Sequence, residues 1–314
     1  MSYGTSNREL TADAAPFCRG AVMHHFTSRA TAALACFLSL PLLSACISEA
    51  AERPAGDPSW RTSSLWDDGL AEFAVYDVDW FRYGALHPGR AILVVVKEPW
   101  APELDVKADT PRPDGFDVLK LNHIRDVPTG IYTYHQMASV FWRRDDGSLR
   151  KISTSSAEAC GISTGYMVGG QLETHSYFDG QGDATMAWPD GAVPQDGLPA
   201  SLREYVQGTV PDSLDLFTPL MAGRFQTLEA ATWKLHREAP APVEVAAGTF
   251  QGVELRLTQG DHFLSYTFDS DPPHVLLHFK DDAGTEYRLA KLGRIAYWQM
   301  HDRGGEEWLP EGLR

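Results

Sequence analysis

The chain has little cysteine: four residues in 314, at positions 18, 36, 46 and 160. No two stand at C-x-x-C spacing, which excludes zinc ribbons and thioredoxin-type redox motifs. Basic residues are also scarce, 27 Lys and Arg against 42 Asp and Glu, for a net charge of −15. Such a surface repels nucleic acid and anionic headgroups, because counterion release cannot favour binding to a phosphate backbone. Beyond residue 46 no apolar run is long enough to cross a bilayer as a helix. The Walker loop, the dinucleotide glycine pattern and H-E-x-x-H are all missing, so no cofactor is expected.

What is present begins with residues 23 to 46, MHHFTSRATAALACFLSLPLLSAC. A short basic segment ending at Arg29 precedes an apolar stretch from Ala30 to Leu43, the pattern of an export signal rather than a spanning helix. It closes on Leu43-Ser44-Ala45-Cys46, which resembles the bacterial lipobox. Cys46 is therefore the expected site of lipidation, with Met23 read as the start and residues 1–22 as an upstream extension. Removing residues 1–45 takes basic residues from 27 to 24 and acidic ones from 42 to 40, leaving −16. Ile47, rather than Asp, after the modified cysteine fits delivery to the outer membrane. The protein is expected on the periplasmic face, held to the membrane through the lipid on Cys46, with Cys160 as its single free thiol.

Residues 46–62 are expected to form the lipidated cysteine and a flexible Pro/Gly/acidic tether, with order beginning near Trp66. Residues 63–195 read as a β region. "LAEFAVYDVDWFRYG" is rich in aromatic and β-branched residues, "HPGR" reads as a turn, and "AILVVVKEPW" as a central strand ended by Pro99. "TGIYTYHQMASVFWRR" and "LRKISTSSAEACG" flank a turn in which Asp146-Gly147 supplies the positive φ. A further alternating pair surrounds "DGQGD". Residues 196–231 have helical spacing with proline breaks, a short helical connector. Residues 232–314 read as a β meander with turns at Gly248, Gly260, Pro272-Pro273 and Ala283-Gly284. The fold class expected is mainly β (α+β): an antiparallel curved sheet or half-barrel with a few short helices.

Three blocks, "DGLAEFAVYDVDWFRYGALHPGRAILVVVKEPW", "VLKLNHIRDVPTGIYTYHQMASVFW" and "SSAEACG", resemble a family of uncharacterised bacterial lipoproteins often labelled septum-formation-inhibitor (Maf-like) proteins. That label implies nucleotide pyrophosphatase activity, but the chain lacks the basic Ser-x-Arg-Arg loop that such an enzyme uses on phosphates, so the activity is not expected. Residues 196–298, through "AGTFQGVEL", "YTFDSDPPHVLL" and a closing "YW", resemble periplasmic half-barrel domains of unknown function. This resemblance implies a concave apolar face capped by helices.

Candidate chemistry centres on "SSAEACGIS". On a strand, Glu158 and Cys160 share a face, and a carboxylate there raises the thiol pKa rather than activating it; the expectation is a packed, inert Cys160, with His123, His135 or His175 as the partners a catalytic one would need. Gly161-Ile162-Ser163-Thr164-Gly165 matches G-x-S-x-G, which makes Ser163 a nucleophile only at a strand-to-helix elbow. Asp179, Gln181 and Asp183 alternate as in a calcium loop, but Ala184 stands where glycine is required, so no metal is expected. His274 and His278, in a strand, are too far apart to share zinc. Trp80, Tyr83, Tyr132 and Trp142 are candidates to line a groove. The function expected is non-enzymatic binding of an apolar ligand or an envelope partner. The alternatives are a hydrolase or transferase using Cys160 or Ser163, and a structural partner of an envelope complex.

Overall fold

The structure, a computed structural model, describes residues 56–110 and 112–309. Cys46 and residues 47–55 of the expected tether lie outside the described residues.

Seventeen strands are described: β1 (Ala71–Arg82), β2 (Ala85–Ala101), β3 (Val106–Lys107), β4 (Phe116–Thr129), β5 (Tyr132–Arg143), β6 (Leu149–Glu158), β7 (Gly161–Val168), β8 (Gln171–His175), β9 (Asp183–Ala187), β10 (Val193–Pro194), β11 (Ser213–Phe217), β12 (Ala230–Arg237), β13 (Ala241–Val245), β14 (Gly248–Gln259), β15 (His262–Asp269), β16 (Leu276–Asp281) and β17 (Glu286–Ile295). The fold is mainly β and antiparallel, as expected. From β9 the ladder runs through β8, β7, β6, β5 and β4 to β2 and β1, then by β17, β16, β15 and β14 to β12, β11 and β10. Only the short β10–β11 pair is parallel among the described ladders. Because β1 pairs with β17 from Ala71↔Ile295 to Asp79↔Glu286, the two β regions are one sheet.

The sheet curves round its own interior. Period-2 alternation turns Ala74, Tyr76 and Val78 of β1, Leu93 and Val95 of β2 and Leu119 and Leu121 of β4 inward, where they join Leu255, Leu257, Phe268 and Leu289 in one cluster. The space between is filled by 195–206, comprising α1 (Leu198–Ser201) and two flanking 3-10 turns. Leu198, Leu202 and Tyr205 belong to the same cluster. A second inner cluster joins Val140, Ile152 and Met167 to Phe217 and Leu220. On the outer face, Phe73, Val75, Ile92 and Val94 are covered by the C-terminal segment through Tyr297 and Trp308. A Cβ on Gly293 would run into the Trp308 ring, so glycine is what lets that indole approach β17.

Several boundaries differ from the expectation. The body begins by Gly56, which bridges to Gly208, and Trp60 and Arg61 are buried, so the tether ends before residue 62. "HPGR" is not a turn but part of β2; the reversal is at Tyr83-Gly84, where both residues have positive φ. Pro99 does not end β2 either. At Pro88 the β4 ladder has stopped at Arg90; at Pro99 the β4 ladder continues while β1 has stopped at Val95 and the two-residue β3 takes its side, with Ala108 N donating to Pro99 O at 2.8 Å. A missing N–H costs little at such a margin of the ladder. Residues 213–217 of the expected helical connector form β11, and tertiary pairing with β12 overrides their helical spacing.

Candidate functional site

The same alternation places polar side chains in an otherwise apolar lumen. On β4 the inward residues are Leu119, Leu121, His123 and Arg125; β5 lays Gln136 opposite Arg125, β6 lays Ser156 opposite Gln136, and β7 lays Ser163 opposite Ser156. Arg125 donates from Nε (2.9 Å) and Nη2 (2.5 Å) to Gln136 Oε1, and Gln136 Nε2 donates to Ser156 Oγ at 2.8 Å. Arg125 Nη1 also donates to Tyr287 Oη at 3.1 Å, and Tyr287 Oη lies 3.2 Å from His123 Nε2. The phenol oxygen accepts from arginine and shares a second hydrogen bond with His123 Nε2, whose direction is set by the imidazole tautomer. His123 Nδ1 is buried and has no hydrogen-bond partner among the described residues. Burial, then the Arg125 charge, pushes the imidazole down to about 3, so it is neutral.

His123, Arg125, Gln136 and Tyr287 border a cavity of about 690 Å³. Its apolar wall includes Trp80, Trp233, Leu264, Tyr266 and Phe279. Arg125 stacks on Trp80 at 4.6 Å, and Trp80 meets Tyr134 edge to face at 5.0 Å. Arg82 lies over the Trp80, Tyr83 and Tyr134 rings at 4.8 to 5.7 Å. Its Nε is buried without a hydrogen-bond partner. The acids of the cavity are differently placed. Asp196 accepts from the Leu220 and Met221 amides at 2.6 and 3.2 Å, and burial pushes its carboxyl up to about 6. Asp281 accepts from Thr285 N, and Asp282 from Phe263 N while holding His262 Nδ1 at 2.9 Å. The exposed residues Phe81, Arg224, His262 and Asp282 mark the mouth, at the end of the sheet that carries the β1–β2, β14–β15 and β16–β17 hairpin tips.

A second cavity, about 460 Å³, lies at the opposite end beside the β5–β6 loop, bordered by Trp60, Trp142, Trp188 and Tyr205. Three of the four expected ligand-binding aromatics therefore gather at one end and one at the other. Trp80 lines the larger cavity. Tyr83 and Tyr132 stand on its rim, with Tyr83 Oη 2.5 Å from Tyr134 Oη and accepting from Tyr132 Oη at 3.3 Å. Trp142 belongs to the second cavity, pressed so closely on Gly197 that a Cβ there would meet its ring at 2.6 Å.

The expected catalytic candidates are not assembled into a centre. Cys160 is exposed rather than packed, because β6 ends at Glu158 and the thiol falls in the turn before Gly161. For the same reason it shares no strand face with Glu158. The carboxylate still acts on it: Glu158 Oε2 accepts from Cys160 N at 2.7 Å, and hydrogen bonding to Glu158 raises the thiol pKa. Ser163 lies inside β7 with no helix after it, and its Oγ donates to Gly223 O at 2.7 Å. Asp179, Gln181 and Asp183 do not converge: Gln181 ties 176 to 225 through Ser176 Oγ and both polar atoms of the Phe225 peptide, while Asp183 faces His175 at 3.3 Å. His274 lies against Asp269 O, and His278 pairs with Glu286.

Arg125, Gln136, Asp196 and Tyr287 were not expected as site residues, and His123 was expected only as a partner for Cys160, whereas it is buried in the lumen and Cys160 is exposed. A signal existed for two of them: in "LKLNHIRDV" the histidine and arginine keep the phase of the apolar Leu119 and Leu121. Asp196 carries no such signal, since only the folded lumen buries it.

No protein-family model matches the chain, and no curated protein matches it. Among solved structures it is similar to a beta-barrel-like protein of a domain of unknown function (DUF1849) from Brucella abortus. The TM-score is 0.42 and the identity 10%, over 72% of this chain and 98% of that one. The comparisons add nothing to the lipoprotein and Maf-like labels.

Proposed function

We propose that this protein is a lipid-anchored envelope protein, exposed to the periplasm at the outer membrane, that binds an apolar or amphipathic small molecule in the larger luminal cavity and carries out no reaction of its own. The observation that carries this reading is the cavity itself. A volume of about 690 Å³ walled by Trp80, Trp233, Leu264, Tyr266 and Phe279 falls within the range typical of small-molecule sites, and it contains a few convergent polar groups that would orient a ligand. The anchor rests on Leu43-Ser44-Ala45-Cys46, ten residues before the body begins at Gly56.

Native mass spectrometry of residues 47–314, exported without the lipid and purified gently from the host envelope, tests the binding reading. A mass released on denaturation as a lipid or other amphiphile supports it, and a bare protein after exposure to total envelope lipid overturns it. Membrane fractionation of a Cys46→Ser variant tests the anchor separately: the variant is expected in the soluble fraction, and continued partition with membranes overturns lipidation at Cys46.

A further inference from the structure

The larger cavity is unequal in how its charges are satisfied. Its acids are each engaged: Asp196 by two backbone amides, Asp281 by Thr285 N, and Asp282 by Phe263 N and the His262 ring. Its arginines are not paired with acids. Arg125 spends three of its five N–H groups on Gln136 and Tyr287, both neutral, and forms no ion pair among the described residues. Two N–H groups of that guanidinium remain. Beside it His123, 8% exposed, keeps Nδ1 without a hydrogen-bond partner, and the two residues meet through the shared Tyr287 Oη. Arg82 holds a further buried donor, Nε, at the same end of the cavity. Buried donors left without acceptors are costly, so a cavity that gathers them is complementary to an acceptor.

We infer that the larger cavity recognises a monoanionic head group, the carboxylate of a single-chain amphiphile, with the Arg125 guanidinium as its receptor, His123 beside it in the tautomer protonated on Nδ1, and the aromatic wall taking the chain. This rests on the reading of the cavity as a ligand site. One guanidinium with two free N–H groups suits a carboxylate, which offers two oxygens and one charge. A dianionic phosphate monoester suits it less, because the carboxylates of Asp196 and Asp281 line the same space and would repel the second charge. Stacking of Arg125 on Trp80 places the end of the charged group against the start of the apolar wall, the arrangement an amphiphile needs.

The test uses the full lipid-anchored chain in phosphatidylcholine nanodiscs and two diazirine probes, a photoactivatable hexadecanoic acid and the matching hexadecanol, with crosslinks mapped by peptide mass spectrometry. The acid is expected to label peptides containing Trp80, Tyr266 or Phe279 at least fivefold more than the alcohol. Arg125→Gln is expected to bring the acid down to the level of the alcohol and leave the alcohol unchanged, with Arg125→Lys intermediate. Near-UV circular dichroism verifies that each variant is folded; if Arg125→Gln is not, Arg125→Lys and Arg82→Gln carry the comparison. Equal labelling by acid and alcohol in the wild type, or acid labelling indifferent to the arginine variants, overturns head-group recognition while the cavity reading stands. Labelling of the cavity by neither probe overturns both.

Discussion

Arg203 holds Glu72 in a buried, two-pronged ion pair. Nη2 donates to Oε1 at 2.7 Å and Nη1 to Oε2 at 3.0 Å, with the side chains 0% and 2% exposed. Arg203 also donates to Pro199 O and Pro273 O and lies over the Trp60 ring at 5.5 Å. One side chain thus ties the luminal segment to β1 and to the loop before β16. Removing one partner of such a pair strands a buried charge and costs about 3–5 kcal/mol. Glu72→Gln is expected to lower unfolding free energy in urea by that order, whereas the double variant E72L/R203M, which removes both charges, recovers most of it. A near-neutral Glu72→Gln would mean that the luminal segment is not docked as described.

Gly89 lies where β2 passes close to β4. A Cβ there would sit 2.6 Å from Asp126 O and Val127 Cγ2, and 2.9 Å from Val127 Cα, so backbone rather than a flexible side chain would have to move. Gly89→Ala is expected to destabilise by about 1–3 kcal/mol, the usual range for overpacking. Chemical denaturation measures it, and a neutral effect would refute the close approach.

Exposure and charge make opposite statements about Cys160. The thiol is open to solvent, so a small alkylating reagent should label folded protein completely without denaturant. The rate should be slow at neutral pH, because the Glu158 carboxylate raises the thiol pKa and thins the thiolate. Glu158→Gln should speed labelling and move its pH midpoint down. Labelling that needs urea would place the thiol in the core instead.

Two buried groups give stability opposite slopes with pH. His123 is pushed down to about 3 from an ordinary value near 6.5, so between those values the unfolded chain binds the extra proton and stability falls as pH is lowered. Asp196 is pushed up to about 6 from 3.8, so between those values the native state binds the extra proton and stability falls as pH rises. Urea titrations from pH 3.5 to 7.5 should show a shallower acid loss in His123→Phe than in wild type, and a steeper loss between pH 6 and 4 in Asp196→Asn. The same slope in all three proteins would remove both residues from the buried lumen.

Much of the β architecture was legible in the chain. The hairpins at Gly147, Gly260 and Gly284 carry positive φ as their sequences predict, and the strand pairs read about Gly147 and about "DGQGD" are β5–β6 and β8–β9. Breaks came where local rules assume a fully paired environment. Pro88 and Pro99 looked like strand ends because a proline harms a strand only where its N–H is needed, and need depends on which neighbour is present. The same held for "SLDLF", whose helical spacing lost to pairing with β12.

The site divides along the same line. By itself the sequence determined a β-rich, strongly acidic body behind a Cys46 motif, and the aromatic supply of the cavity wall, because composition and period 2 are properties of the chain alone. Only the tertiary structure decided that Tyr287 meets His123 and Arg125 across 164 and 162 positions, that Asp196 is buried among their neighbours, and that Cys160 is at the surface. Closing β17 onto β1 brings those distant residues together, and a register set by the pairing of strands far apart in the chain is written in no local pattern.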